Sequence, residues 1–199
     1  MRNRLVLASQ SPRRAELLGQ IGLPFDVYVT DVDETRLDNE PSEDYVRRLA
    51  QEKCLAGWQL SKADRPAAVI GADTIVLLGD EILGKPRGLN EGKAMLAKLA
   101  GNTHTVLSGV AVSNGQCLES TVVASAVTFT ALSQHDIDAY SATGEGGDKA
   151  GSYGIQGIGG IFVERIEGSF SAVMGLPVQE TEALLRTLNI DTWSMRSHG

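Results

Sequence analysis

Two hydroxyl side chains and two arginines lie close together near the start of the 199-residue chain. Ser9 and Ser11 precede Pro12, which suits the first turn of a helix, and Arg13 and Arg14 come next. The free N–H groups at a helix N-terminus bind anions, and an arginine guanidinium binds two phosphate oxygens at once. Two solvated arginines after an N-cap are the alternative, although cations at this end of a helix oppose its dipole. The segment therefore predicts a phosphate-binding site.

One carboxylate interrupts the apolar stretch from Val69 to Leu78. Burying the Asp73 carboxylate without a partner would be costly, so its side chain is expected either to be paired or to face a cleft. In a cleft it could bind a metal ion or act as a general base; a hydrogen bond to a neighbouring turn is the alternative. Lys85 follows the next short strand and could bring a positive charge near Asp73, although lysines after a hairpin are usually solvated.

Two further charged residues could join such a site. Lys53 falls in the same helical register as the apolar Val46 and Leu49, and a lysine on an apolar face either reaches out to solvent or pairs with an anion. Glu34 belongs to an acidic loop and could help to hold a divalent cation, although a solvated run of charges is more common.

Glycine is concentrated in one segment, because 8 of the 22 glycines lie between Gly144 and Gly160. Glycines at this density let backbone N–H groups approach a ligand closely. A flexible surface loop is the alternative, but the embedded Tyr153 and Ile155 indicate an ordered segment. The segment is not a Walker phosphate loop, since the pattern GxxxxGK[ST] is absent.

Alternating strands and helices in the first seventy residues predict an α/β fold with a mixed sheet flanked by helices. Strands are predicted at residues 4–8, 25–32, 67–78 and 81–83, in a long hairpin of residues 103–113 and 116–130, and in a last hairpin of residues 161–166 and 170–174. Helices are predicted from Pro12 to Gly22, from Ser42, from Asn90 to Gly101, from Ser133, and over residues 177–188. We predict a single domain over residues 1–190 and a disordered tail over residues 191–199.

Composition excludes several classes of protein. With 18 basic and 25 acidic residues the formal charge is −7, which argues against coating nucleic acid through a basic face but not against a local anion site. No apolar run approaches the ~18–20 residues of a membrane span. Cys54 and Cys117 stand apart, which indicates neither a disulfide framework nor a zinc site. We expect a cytoplasmic protein with no nucleic-acid and no membrane partner.

Together these segments resemble the Maf family of nucleoside triphosphate pyrophosphatases, over residues 5–188. The resemblance is carried by four motifs, at residues 8–14 (ASQSPRR), 71–74 (GADT), 84–86 (GKP) and 148–156 (DKAGSYGIQ). It implies a Maf/inosine triphosphatase-like fold with an elongated mixed sheet and a cleft between two lobes. It also implies hydrolysis of a nucleoside triphosphate to the monophosphate and diphosphate, a divalent metal cation (Mg²⁺ or Mn²⁺) as cofactor, and a homodimer.

The resemblance assigns roles to residues of this sequence. It implies Asp73 as the catalytic proton acceptor, with Glu34 and Asp73 at the metal. It implies phosphate binding by Ser9, Ser11, Arg13, Arg14, Lys53, Lys85 and Lys149. It implies base selection by Arg13, Thr74 and Gln156, in a combination similar to the branch that acts on dTTP and UTP. An amide such as Gln156 also matches the donor and acceptor edge that uracil and thymine share. A 7-methyl-GTP pyrophosphatase, and a nucleotide-binding regulator of cell division without catalysis, are the alternatives.

Overall fold

The computed structural model describes residues 4–196, which form an α/β fold with one seven-stranded sheet flanked by helices. The strands are β1 (Leu5–Ala8), β2 (Phe25–Tyr28), β3 (Ala68–Leu78), β4 (Glu81–Leu83), β5 (Thr103–Ser113), β6 (Leu118–Phe129) and β7 (Val163–Glu167). The α-helices are α1 (Pro12–Gln20), α2 (Ser42–Ser61), α3 (Leu89–Leu99), α4 (Gln134–Ala142), α5 (Phe170–Met174), α6 (Val178–Thr187) and α7 (Thr192–Arg196). Short 3-10 helices lie at Lys62–Asp64, Ala150–Ser152 and Ile158–Phe162.

The sheet is mixed, as predicted. Its strand order is β2-β1-β3-β5-β6-β7, and β4 pairs with β3 outside this path. β1 pairs in parallel with both β2 and β3, so that Leu5 lies opposite Phe25 and Ala68. The pairs β3–β4 and β6–β7 are antiparallel. The first two strands, with α1 between them, thus form a parallel β-α-β unit.

The described chain divides into two compact units. The first consists of the chain up to Asp73, Ser108–Val123 and the chain from Gly175 on, and the second of Thr74–Leu107 and Ala124–Met174. The boundaries fall inside β3, β5 and β6, so neighbouring residues of one strand can belong to different units. The single domain over residues 1–190 and the cleft between two lobes stay predictions.

A small buried cluster holds α2 against the strands of the first unit. It consists of Val6, Ala8, Ala50, Cys54, Val69 and Ala111. The contact is unusually close because Gly71 has no side chain: a Cβ there would lie 2.3 Å from the backbone oxygen of Ala50 and 2.4 Å from the backbone nitrogen of Cys54. The backbone of α2 therefore lies directly on β3. On the helix the contact falls at Cys54, next to Lys53, and on the strand it falls at Gly71, two residues before Asp73.

Two predicted strand segments are wrong. The strand predicted over residues 25–32 ends at Tyr28, because its partner β1 ends at Ala8, directly opposite Tyr28. Residues 170–174 form helix α5 instead of a hairpin strand, and β7 pairs with β6. The Ser169 hydroxyl accepts the backbone N–H of Ala172 at 3.2 Å, which starts a helical turn that the short apolar run did not reveal.

The disordered tail predicted over residues 191–199 is wrong for Thr192–Arg196, which forms α7. Arg196 donates a hydrogen bond of 2.7 Å to the backbone oxygen of Ile21 and one of 2.8 Å to Glu182. Met195 is buried. Residues 197–199 lie outside the described part. The third helix also begins at Leu89, so its N-cap is Gly88 and not Asn90.

Candidate active site

The hydroxyl and arginine residues of the opening segment meet where β1 passes into α1. Ser9 is buried, and its Oγ accepts hydrogen bonds from the Ser11 backbone N–H at 3.1 Å and from Arg14 Nη1 at 3.3 Å. Arg14 Nε donates to the backbone oxygen of Gly175 at 2.8 Å, which fixes the guanidinium at the N-terminal end of α1. Ser11 is the N-cap residue by position, but its side chain makes no capping bond. The predicted grouping of Ser9, Ser11 and Arg14 is thus present.

The ammonium group of Lys53 joins two carboxylates. Its Nζ lies 2.6 Å from Asp73 Oδ1 and 2.6 Å from Glu34 Oε1. The side chains of Lys53 and Asp73 are each only 11% exposed, whereas that of Glu34 is 54% exposed. Of the two possibilities for a lysine on an apolar helix face, pairing with an anion is confirmed. The Asp73 carboxylate is paired with a side chain from α2 and not with a neighbouring turn.

The close contact of α2 with β3 explains this pairing. Alternate residues of a strand face the same side of its sheet, so Asp73 faces α2 just as Gly71 does. With the helix backbone resting on Gly71, Lys53 is within reach of the Asp73 carboxylate. Thr74 comes next on β3 and points to the other side of the sheet.

Arg14 belongs to the same electrostatic cluster. Burial of the guanidinium lowers the pKa of Arg14, while the charges of Asp73 and Glu34 raise it and that of Arg13 lowers it. Charges must be close together to act on one another in this way. The cluster therefore combines three cationic side chains with two carboxylates, in a chain whose formal charge is −7.

Sequence reasoning missed two residues of this neighbourhood, Tyr45 and Arg48. The Tyr45 hydroxyl donates to the backbone oxygen of Glu34 at 2.7 Å, and burial, together with the charges of Asp73 and Glu34, raises the pKa of Tyr45. Arg48 forms an ion pair of 2.7 Å with Glu40, which lowers the pKa of Glu40 to about 2. The only signal in the sequence was their spacing on one face of a helix, which solvated side chains also show.

Four predicted site residues belong to the second unit. Thr74 is partly buried, and Lys85, two residues after the end of β4, is exposed. Lys149 Nζ lies 2.6 Å from Asp148 Oδ1 and also donates to the backbone oxygen of Glu145. Gln156 is exposed on the glycine-rich segment, whose Tyr153 and Ile155 are buried as the prediction of an ordered segment requires.

Comparison with known proteins decides the family. The family described as "Maf-like protein" matches residues 4–188. The chain belongs to the Maf-like family.

Its curated relatives cover nearly the whole chain. A protein of Pseudoalteromonas atlantica called dTTP/UTP pyrophosphatase is 50% identical over 188 residues, which are 94% of this chain and 97% of the relative. Proteins of the same name from Methylococcus capsulatus and Vibrio cholerae are 49% and 51% identical, over 95% and 92% of this chain and 93% and 97% of theirs. The solved structure of the Staphylococcus aureus Ham1 protein is similar with a TM-score of 0.39 and 16% identity, over 63% of this chain and 70% of that one.

The donor set of this Maf-like chain suits a hard divalent cation. Glu34 and Asp73 direct carboxylate oxygens at one point, the Lys53 ammonium. Mg²⁺ is bound in proteins by one or two carboxylates together with phosphate oxygens and water. Within residues 4–196 there is no cluster of three or more His, Cys, Asp or Glu side chains that could hold a metal by themselves. The two carboxylates thus fit a cation that arrives with a phosphate-bearing ligand better than a resident zinc ion.

No helix of the described Maf-like chain has the length and apolar character needed to cross a membrane.

Proposed function

We propose that this protein is a nucleoside triphosphate pyrophosphatase that hydrolyses dTTP and UTP, and modified pyrimidine nucleotides, to the nucleoside monophosphate and diphosphate. The observation that carries the proposal is the Asp73 carboxylate. It is largely buried, it is paired with Lys53, and its charge acts on the guanidinium of Arg14. A site that only bound an anion would not need a carboxylate among its cations. The activity named for the curated relatives supports the same reaction.

The cations and the start of α1 would bind the triphosphate. Arg13 and Arg14 offer planar guanidinium groups, and Ser9 and Ser11 offer hydroxyls at the N-terminal end of the helix, where the helix dipole favours an anion. Lys85 and Lys149 are proposed to contact phosphate oxygens as well. These groups stabilise the negative charge that builds on the α-phosphate and on the departing diphosphate.

Asp73 would act as the general base. The carboxylate accepts a proton from a water molecule while the water oxygen forms a bond to the α-phosphorus. The bond between the α-phosphorus and the oxygen that bridges to the β-phosphorus breaks, and the electron pair leaves with the diphosphate. Lys53 fixes the orientation of the Asp73 carboxylate through its 2.6 Å contact.

Glu34 and Asp73 are proposed to hold Mg²⁺ or Mn²⁺. A bound cation supplies Lewis-acid stabilisation of charge on the phosphate oxygens.

Arg13, Thr74 and Gln156 are proposed to select the base. The Gln156 amide carries one donor group and one acceptor, which complement the O4 and N3–H of uracil and thymine. Cytosine exchanges this donor and acceptor, and each mispaired group would cost about 1–3 kcal/mol.

We further propose that the protein is cytoplasmic and forms a homodimer. Light scattering of the purified protein measures its mass and tests for the dimer.

The test is diphosphate release from a panel of nucleoside triphosphates with Mg²⁺ present. We expect turnover of dTTP and UTP, and much slower turnover of CTP, ATP and GTP. Turnover of 7-methyl-GTP alone would replace the proposed substrate class. No turnover of any triphosphate, with binding retained, would favour a regulator that does not catalyse.

A further inference from the structure

The loop that carries Glu34 has no regular structure of its own. Residues 29–41 contain no strand or helix, and most of them are exposed, including Leu37 at 58%. Even so, the Glu34 carboxylate lies 2.6 Å from Lys53 Nζ. Because few apolar groups of the loop are buried, polar contacts must hold it in place.

Arg48 of α2 provides most of these contacts. Its Nε donates to Glu40 Oε1 at 2.7 Å and its Nη2 to Glu40 Oε2 at 2.9 Å, a two-pronged pair at the end of the loop. The same Nη2 donates to the backbone oxygen of Thr35 at 3.0 Å, directly beside Glu34. Glu40 Oε2 also accepts the backbone N–H of Leu37 at 3.1 Å. One guanidinium thus reaches both ends of residues 35–40.

Tyr45 holds the loop at Glu34 itself. Its hydroxyl donates to the Glu34 backbone oxygen at 2.7 Å. Tyr45 lies one turn before Arg48 on the same helix face, and the Arg48 guanidinium carbon lies 5.6 Å from the centre of the Tyr45 ring. The two side chains therefore form one structure, which we term the loop clamp (Tyr45, Arg48 and Glu40).

Lys53 extends from the same helix as the clamp. The spacing of residues along a helix is regular, so holding the Glu34 backbone at Tyr45 and Arg48 places its side chain within reach of the Lys53 ammonium. We propose that Tyr45 and Arg48 are positioning residues, which hold the loop on α2 so that Glu34 reaches Lys53, the residue that also contacts Asp73. The catalytic consequence rests on the proposed function, whereas the ordering of the loop does not.

Two variants test the clamp with little change to the core. Arg48→Lys keeps a positive charge but cannot form the two-pronged pair, and Tyr45→Phe removes only the hydroxyl. Arg186→Lys is the matched control, because Arg186 forms an ion pair at the surface of α6 with Glu182, four residues earlier in the chain. Hydrogen exchange of the amides in residues 34–40 should rise in both clamp variants and stay unchanged in the control. Unchanged exchange in Arg48→Lys and Tyr45→Phe would overturn the proposal.

A double-mutant cycle tests whether the clamp acts through Glu34. Arg48→Lys should lower kcat roughly 10- to 100-fold, with a smaller effect on KM for dTTP. In a Glu34→Gln background the same substitution should cost almost nothing more, because the carboxylate that it positions is already gone. Two losses that simply multiply would show that Arg48 acts elsewhere. If the unmodified protein hydrolyses no triphosphate, the proposed function fails, and the hydrogen-exchange result alone decides the clamp.

Discussion

Asp73 acquires its chemical importance from its surroundings rather than from its residue type. An aspartate on a strand is ordinarily a solvated or hydrogen-bonded side chain, but this one is largely buried, pairs with Lys53 and lies within the electrostatic reach of Arg14. Lys53 in turn contacts Glu34. The proposed base thus has a fixed orientation among cations that would neutralise a triphosphate.

Replacing the carboxylate by an amide tests this role. Asp73→Asn should reduce kcat for dTTP roughly 10²- to 10⁴-fold, because the amide cannot accept the proton of the attacking water. Binding of dTTP, measured by calorimetry without a divalent metal ion, should change little, since the cationic side chains remain. Asp80→Asn, in the exposed turn before β4, serves as the control. Activity near that of the unmodified protein would remove Asp73 from catalysis.

Parts of the site could be predicted at this scale. The apolar stretch around Asp73 indicated a carboxylate that is either paired or facing a cleft, because that pattern is local. The register of Lys53 on α2 likewise narrowed its side chain to two possibilities, reaching solvent or pairing with an anion. Tyr45 and Arg48 could not be found in the same way. The role proposed for them depends on the path of the loop, and residues 33–41 have no periodic pattern that predicts this path.

The contact between α2 and β3 is the element-scale feature on which the site depends. Gly71 lets the helix backbone rest on the strand, and this brings Lys53 to Asp73. The sequence predicted both elements, because a continuous apolar stretch and helical spacing are local patterns. It did not predict their distance of approach, which is set by the missing side chain of one glycine.

A methyl group at this contact should therefore disturb stability and activity together. In Gly71→Ala the new Cβ would lie 2.3 Å from the Ala50 backbone oxygen, so α2 must move away from β3. We expect a loss of about 1–3 kcal/mol in the free energy of unfolding, measured with urea, and a lower kcat. Gly19→Ala is the control, because Gly19 lies outside the four motifs and a Cβ there meets nothing within 4 Å. Equal stability of the two variants would contradict the close contact.

The regions where prediction failed have a common cause. The short run at residues 170–174 is apolar enough for either a strand or a helix, and a serine before it decided in favour of α5. At the other end of the chain, α7 depends on a buried Met195 and on Arg196 contacts with Ile21 and Glu182. Those partners are distant in sequence, and local composition carries no information about them.

On the scale of the whole molecule, the pH dependence of stability should include one buried histidine. His104 packs edge-on against Phe129 and Tyr153, and its Nε2 lies 2.8 Å from the Tyr153 hydroxyl. Burial lowers the pKa of His104 to about 4, whereas an unfolded histidine titrates near 6.5. The unfolded chain therefore takes up the proton first as the pH falls.

The sign of the effect follows from this difference. The stability due to neutral His104 is complete above about pH 6.5 and is lost as the pH falls from there towards about 4, by at most about 3 kcal/mol. We predict that the free energy of unfolding, measured with urea between pH 7.5 and 4.5, falls less steeply in His104→Phe than in the unmodified protein. Identical slopes would mean that the pKa of His104 is the same in the folded and the unfolded chain, which would contradict the effect of burial.

Fold class and family were accessible from the sequence, because strand and helix patterns and four short motifs extend over most of the chain. The formal charge of −7 gives no indication of the cationic cluster, because the cluster forms only when residues that are far apart in sequence come together in the fold. The roles of Gln156, Lys85 and Lys149 remain predictions from family resemblance.

The most direct test of the account follows the oxygen atom that water contributes. Hydrolysis of dTTP by the unmodified protein in ¹⁸O-labelled water, followed by mass spectrometry of both products, locates the phosphorus that is attacked. Water activated by Asp73 at the α-phosphorus predicts one ¹⁸O atom in dTMP and unlabelled diphosphate. Label in the diphosphate, or release of dTDP and labelled inorganic phosphate, would contradict the account.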